Sequence, residues 1–387
     1  MKKKLLFVID KLACGGAEKS LISLLQMIDY NCYDVDLMIV KRGGVFEKYV
    51  PDKVHILDYV ATYIKDTFLK IVWDKMVDAY LSPQMRLNNK RHHAEILWRK
   101  ASWHYPKLQG SYDVAIAYQQ GFPTFFLADR IDAKKKMAWV NVDVYAAGYD
   151  MNYCRQFYEQ MDHVVAVSSE LQKMMTIKSP WLKDKLSCIY DIVNQDLIRQ
   201  MASEQVNDLP FINEDEITIV TVGRLAIPKN YPLAVDTAHV LKQRGVKFKW
   251  LFVGEGECRT SIEKMITDYD LQQEVFLLGL KENPYPYMSL ADVYVQTSSF
   301  EGFGLTIAEA KILHKPVVST DFDVVYNQVQ DRQNGLIVSM TPESVADGIT
   351  ELLNNPELRS TIVSNLKNEN NLTFETEIQK FNSLVNN

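Results

Sequence analysis

Residues 293–310 read VYVQTSSFEGFGLTIAEA. The apolar run Val293–Gln296 gives way to a polar loop, the loop carries Gly302 and Gly304, and Gly304–Leu313 is predicted to be helical. A short run of this composition suits a strand buried on both faces, and a glycine-bearing turn into a helix is the usual continuation in an α/β sheet. Glycine lets the chain turn without a Cβ in the way. The backbone amides at the helix start then attract an anion or a hydroxyl oxygen. This one strand–loop–helix unit predicts both a fold class and a place for a ligand.

The same alternation extends outward. Strands are predicted at Ile217–Val222, Trp250–Val253, Val275–Leu278, Val317–Ser319 and Leu336–Val338, with a helix at Tyr231–Arg244. A second series occupies the first half, at Leu5–Ile9, Val35–Val40, His55–Leu57, Val114–Ala117, Met137–Val140 and Val164–Val167. There, Ala17–Ile28 sets Leu21, Leu24, Leu25 and Ile28 on one helical face. Between the series, Gln200–Glu216 is aperiodic, acidic and Asn-rich, and reads as a linker. The expectation is an α/β protein of two Rossmann-like domains, 1–208 and 209–387, facing across a cleft. Ligands would bind at the carboxyl ends of the strands. The C-terminal helix is expected to be able to pack back on the first domain.

The 387 residues, 47% hydrophobic, can bury two cores. A net charge of −6 argues against nucleic acid as the partner, although residues 1–208 carry +3 and the remainder −9. Five scattered cysteines without a CxxC pair suit a reducing compartment, so a cytoplasmic location is expected. After Lys2-Lys3-Lys4, Leu5–Ile9 is too short an apolar run for a signal peptide, and no stretch reaches the length of a spanning helix. Arg86–Lys107 is basic, with Trp98, Trp103 and Tyr105 interleaved. Such a segment suits a helix lying on an anionic membrane at the inner face of the cell, with Ile96, Leu97, Trp98 and Trp103 at headgroup depth. Its bland reading is a helix that packs both tryptophans into its own domain.

Three loops carry candidate chemistry. Cys14-Gly15-Gly16-Ala17-Glu18 lies between a strand and a helix, where paired glycines admit a ligand or simply make a tight turn. Gly223-Arg224-Leu225-Ala226-Ile227-Pro228-Lys229-Asn230 follows a strand end and offers two cations to a pyrophosphate, although either cation alone more often marks solvated surface. Glu301–Glu309 offers the helix start with an acid on either side of it. Glu309, between Ala308 and Ala310, can accept two hydrogen bonds from a vicinal diol such as a ribose. Asp34-Val35-Asp36 and Asp321-Phe322-Asp323 match a metal-binding DxD pattern, but the first reads as a strand start and the second as a strand end, so no metal is assigned. His92 and His93 point apart on a helix and form no ligand spacing.

Together the Gly15-Gly16 loop, VGRLAIPKN at 222–230, LLGLKENPYPYMSLADVYVQTS at 277–298 and EGFGLTIAEA at 301–310 give the chain a resemblance to retaining GT-B glycosyltransferases of the glycosyl transferases group 1 class, strongest from Val220 to Val338. The resemblance implies that Arg224 and Lys229, beside Gly223, hold the donor diphosphate, with Gly15 and Gly16 approaching it from the other domain. It implies that Glu309 binds the ribose and that Glu301, with Phe303, Gly304, Leu305 and Thr306, binds the donor sugar. Leu280–Asn283 would line the base. Asn141 stands where many relatives carry a His facing the sugar, and Tyr118, Gln119, Gln120 and Gly121 would serve the acceptor side. The implied activity is retaining hexosyl transfer from a nucleotide-sugar, UDP by class, to a saccharide or lipid-linked acceptor in surface-polysaccharide or capsule assembly. No metal and no cofactor are implied. A nucleotide-sugar epimerase of the same fold and a non-catalytic nucleotide-sugar-binding protein are the alternative readings.

Overall fold

The structure, a computed structural model, describes residues 2–13, 15–57, 91–209, 216–301, 303–369 and 372–386. The chain forms two compact units, one of Met1–Val193 with Leu372–Asn387 and one of Asn194–Asn371.

Unit 1 is built on a parallel sheet of β1 (Lys3–Ile9), β2 (Tyr33–Ile39), β3 (Val54–Ile56), β4 (Ser111–Ala117), β5 (Asp132–Val140), β6 (His163–Ala166) and β7 (Leu186–Cys188). Their spatial order is β3-β2-β1-β4-β5-β6-β7. Leu5–Ile9 of β1 are fully buried, as its unbroken apolar run requires of a central strand covered on both faces. β4 and β5 begin several residues before their apolar stretches, because Ser111–Asp113 and Asp132–Lys136 alternate in burial at the sheet margin. The edge strand β7 was not expected: Leu186-Ser187-Cys188 has no apolar run to mark it.

Unit 2 repeats the plan with β8 (Ile217–Val222), β9 (Phe248–Val253), β10 (Val275–Gly279), β11 (Val293–Gln296), β12 (Val317–Thr320) and β13 (Leu336–Val338), ordered β10-β9-β8-β11-β12-β13. Its core is Trp250, Phe248, Phe252, Val293 and Val295 under Leu233, Ala234 and Leu241 of the helix Tyr231–Gln243. That helix stops one residue short of the expected Arg244, where Gly245 takes φ +72° and donates back to the Lys242 carbonyl at 3.0 Å.

The chain leaves unit 1 at Val193, earlier than the acidic linker suggested by sequence. Gln195–Ala202 is helical, capped by the Asn194 side chain on the Leu197 amide at 3.2 Å. The coil beyond it is strapped to unit 2. Asn283 Nδ2 donates to the Met201 carbonyl at 2.7 Å and to Glu204 Oε2 at 2.9 Å, and Lys281 and Tyr287 both hold Asp208. At the other end, the helix Leu372–Asn386 belongs to unit 1. Its Phe381 is fully buried and stacks on Phe7 at 6.2 Å, and Lys3 Nζ donates to the Val385 carbonyl at 3.2 Å.

In each sheet the order reverses beside the first strand, between β1 and β4 and between β8 and β11. The connections leave in opposite directions there, so the loops at the carboxyl ends part and leave a crevice. No helix among the described residues is long and apolar enough to cross a membrane.

Candidate functional site

The loops that follow β8 and β11 meet at the switch point of unit 2. Ser299 donates its amide to the Pro228 carbonyl at 2.8 Å, and Thr297 Oγ1 donates to the Lys229 carbonyl at 3.1 Å. This brings Lys229 Nζ to 2.6 Å from Glu301 Oε1. Lys229 is 23% exposed and Glu301 9%, so their ion pair is only partly screened by water. The same Glu301 oxygen accepts from Gln296 Nε2 and from Ser298 Oγ, each at 2.6 Å. Arg224 lies exposed at the mouth of the same loop, with no ion pair among the described residues.

Backbone contact fixes the Arg224 loop. Leu225 donates its amide to the Glu255 carbonyl at 3.0 Å, and a Cβ on Gly254, whose φ is +152°, would lie 1.9 Å from the Gly223 carbonyl oxygen. Only glycine fits there. The Gly254-Glu255-Gly256 segment, which lacks a dinucleotide fingerprint, is thus the floor on which the cationic loop rests. The Lys229 stem crosses Gly223, whose missing Cβ would sit 3.4 Å from Lys229 Cε.

Past Glu301, Gly304 takes φ +83° and caps the helix Leu305–Ile312, one residue shorter at each end than expected. No side chain among the described residues caps it, and since the Ile307 amide turns back to the Gly304 carbonyl at 2.9 Å, the Leu305 and Thr306 amides are the ones left for a ligand. Gln328 Nε2 ties this turn down through the Phe303 and Gly304 carbonyls. Phe303, Leu305 and Thr306 are half-buried. Glu309 is 1% exposed, and its Oε1 accepts from the Tyr285 hydroxyl at 2.9 Å, which rules out the bland reading of a solvated helix acid. Asn283 departs from expectation: both amide hydrogens go to the chain at 201–204, and its Oδ1 accepts from the Tyr285 amide at 3.1 Å. Its side chain is a fastener, committed to the protein's own chain.

In unit 1 the β1/β4 switch point gathers a second cluster. Gly15 precedes the helix Gly16–Met27, which starts one residue before the expected Ala17. The Glu18 carboxylate folds back over Gly15, into the space a Cβ would take, and accepts from Gln119 Nε2 at 3.2 Å. Burial pushes the Glu18 carboxyl above its ordinary range, against the pull of its own amide and of Gln119. Asn141 follows β5; its Nδ2 donates to the Tyr118 carbonyl at 2.9 Å, and its buried Oδ1 has no partner among the described residues. The Tyr118 hydroxyl lies 3.0 Å from Ser20 Oγ, which accepts from the Ile192 amide at 3.2 Å. Beside them Asp191 is 7% exposed, and burial raises its carboxyl to about 7. Gly121 takes φ +83° and makes room for the Tyr149 ring, which stacks on His92 at 4.1 Å.

The DxD segments are occupied otherwise. Asp36 is buried in β2, pairs with Lys4 at 3.3 Å and with His55 at 3.0 Å, and accepts from the Tyr112 hydroxyl. Asp321 follows β12 and accepts from Tyr326. Of the basic segment, Arg86–Lys90 lie outside the described residues. The helix His93–Ala101 turns Ile96 and Trp98 inward, Trp98 against Phe122, Phe125 and Tyr105 with its Nε1 on Asp129 at 3.0 Å. Ile96 and Trp98 are therefore unavailable as membrane anchors. Trp103, 59% exposed, donates its Nε1 to the Lys100 carbonyl at 3.1 Å.

Sequence reading missed Gln296, Ser298 and Gln328. A signal was present for one of them: Gln296 is a polar residue in a strand otherwise read as core.

Residues 204–369 match the family model described as glycosyl transferases group 1. The alpha-D-kanosaminyltransferase of Streptomyces kanamyceticus is 31% identical over 156 residues, 39% of this chain and 40% of that protein. The poly(ribitol-phosphate) alpha-N-acetylglucosaminyltransferase of Staphylococcus aureus is 29% identical over 188 residues, 47% of this chain and 38% of that protein. The chain thus aligns with less than half the length of either relative. The crystal structure of Anabaena HepE in complex with UDP and glucose superposes on 99% of this chain and 99% of its own, with a TM-score of 0.69 at 16% identity. The 204–369 segment is thus similar to glycosyl transferases group 1, and the whole length follows the GT-B fold.

Proposed function

We propose that the protein is a retaining glycosyltransferase that moves a hexosyl unit from a nucleotide-diphosphate sugar, with UDP as the nucleotide, to a glycan or lipid-linked saccharide in surface-polysaccharide assembly. The Lys229–Glu301 contact at the β8/β11 switch point carries this reading, because it sets a cation for a phosphate beside an acid for a sugar hydroxyl. Arg224 and Lys229 would neutralise the charge that develops on the leaving diphosphate, helped by the helix start at Gly304. Glu301 would orient the sugar and Glu309 the ribose, while Gly15, Gly16 and Asn141 would add donor contacts from unit 1. The departing phosphate itself would take the acceptor proton, so no enzymic nucleophile or metal is assigned. The names of the two relatives, both α-transferases, and the UDP in HepE support the reading. An anionic membrane is proposed as a further partner, through Trp103, Lys100 and Lys107.

The test is to incubate the protein with UDP-sugars and saccharide acceptors, in the presence and absence of EDTA, and to assign the anomer of the product. An α-linked product from an α-donor, formed equally in EDTA, is expected. Epimerised donor without acceptor, or tight donor binding without turnover, would replace the reading with one of its alternatives.

A further inference from the structure

Gln296 closes β11 and is 2% exposed. A buried amide must find its hydrogen bonds inside the protein, and this one finds them at two different places. Its Nε2 donates to Glu301 Oε1 at 2.6 Å and to Ser298 Oγ at 2.7 Å. Its Oε1 accepts from the Tyr294 hydroxyl at 2.7 Å and from Thr306 Oγ1 at 3.2 Å. A carboxylate only accepts, so the amide nitrogen must face Glu301 and the oxygen must face Tyr294 and Thr306.

Three donors, Lys229, Gln296 and Ser298, converge on one oxygen of Glu301, and no hydrogen bond reaches Oε2 among the described residues. Lys229 is also the group assigned to the diphosphate, so a donor would draw it away. Gln296 and Ser298 would then hold the carboxylate in place alone. We infer that Gln296 is a positioning residue, bridging Glu301 to Thr306 so that Glu301 Oε2 and the helix start offer one preformed surface to the sugar of a nucleotide-sugar. This rests on the transferase reading above. The benefit is preorganisation: a free Glu side chain would lose its rotamer freedom on binding, whereas this one is ordered beforehand.

The test uses Gln296→Glu, which keeps the shape and replaces the donating nitrogen with an oxygen. The titratable groups facing the introduced carboxyl are Glu301, Lys229 and Tyr294. Two carboxylates at hydrogen-bond distance cannot both ionise cheaply, so acid restores the bridge by letting them share a proton. Thermal shifts are read at pH 8 and pH 5.5 with UDP-, dTDP-, GDP- and ADP-sugars and with each parent nucleotide, on the unsubstituted protein and the variant. At pH 8 the variant should lose at least tenfold in affinity for the best sugar nucleotide yet bind the parent nucleotide as before; at pH 5.5 the loss should disappear. Equal affinity at pH 8, or an equal loss at both pH values, overturns the inference, since Gln296 would then be idle or merely structural. If the unsubstituted protein responds to nothing in the panel, the transferase reading falls and takes this inference with it. Should Gln296→Glu fail to fold, Ser298→Ala removes another donor to the same oxygen. It should weaken sugar-nucleotide binding without weakening nucleotide binding, and no difference between the two ligands would overturn the inference.

Discussion

Lys229 Nζ lies 2.6 Å from Glu301 Oε1, so the cation assigned to the phosphate and the acid assigned to the sugar are bonded to each other before any donor arrives. Their substitutions should not be additive. Lys229→Ala is expected to slow transfer by about one to three orders of magnitude, as for loss of a charged hydrogen bond to the transition state. Glu301→Gln should lower kcat and also weaken sugar-nucleotide binding, because its carboxylate would face the sugar in the ground state as well. The double variant should cost less than the two single losses combined, with a coupling of roughly 0.5–3 kcal/mol. Strict additivity in steady-state kinetics would mean that the pair is a surface contact.

The Tyr285 hydroxyl on Glu309 sets up a second expectation. Glu309→Gln weakens a contact made equally in ground and transition states, so it should raise the donor KM and leave kcat near its original value. Tyr285→Phe should move KM the same way by a smaller factor. A kcat effect without a KM effect would place Glu309 at the reacting sugar.

Asp191 gives a pH dependence whose sign is fixed. Its folded carboxyl, at about 7, holds a proton more tightly than the unfolded value of 3.8. The stability it contributes is full below pH 3.8 and is lost as pH rises towards and through 7, at about 1.4 kcal/mol per pH unit at most. The melting temperature of Asp191→Asn should therefore fall less between pH 5 and pH 8 than that of the unsubstituted protein. Parallel curves would show that Asp191 ionises normally in the fold.

The two tryptophans of the basic segment should separate in experiment. Trp98→Ala should cost roughly 3–5 kcal/mol of stability, as for a large aromatic lost from a core. Trp103→Ala should cost less than Trp98→Ala, because its ring is more than half exposed and its Nε1 bonds only the nearby Lys100 carbonyl. In vesicle flotation, binding should require anionic lipid, weaken with salt and drop on Trp103→Ala, with each Lys or Arg contributing on the order of 1 kcal/mol. A protein that never floats, even at low salt, would leave the segment purely structural.

How much of this was legible in the sequence differs from element to element, for a physical reason. Val293–Gln296, Ile217–Val222 and Leu5–Ile9 announced themselves because central parallel strands are covered on both faces and are largely apolar. The glycine loops after them could be read because backbone turns require glycine locally. The three-residue edge strand Leu186–Cys188 carries no such mark, since an edge is held by its neighbour's hydrogen bonds. The exit from unit 1 was masked because the acidic stretch looked like a linker, whereas Asn283 and Lys281, some eighty residues downstream in sequence, bind it to unit 2.

The site divides in the same way. By itself the sequence determined the residue types present: two cations after one strand, two acids around a helix start, and glycines to bring backbone close. Only the tertiary structure decided their partners. Gln296 and Ser298 are committed to Glu301, Asn283 to the chain crossing, and Trp98, not Trp103, to the core. Local pattern fixes which backbone a segment adopts, but a hydrogen bond between residues 72 positions apart, such as Lys229 to Glu301, exists only once the switch between β8 and β11 has folded their loops together.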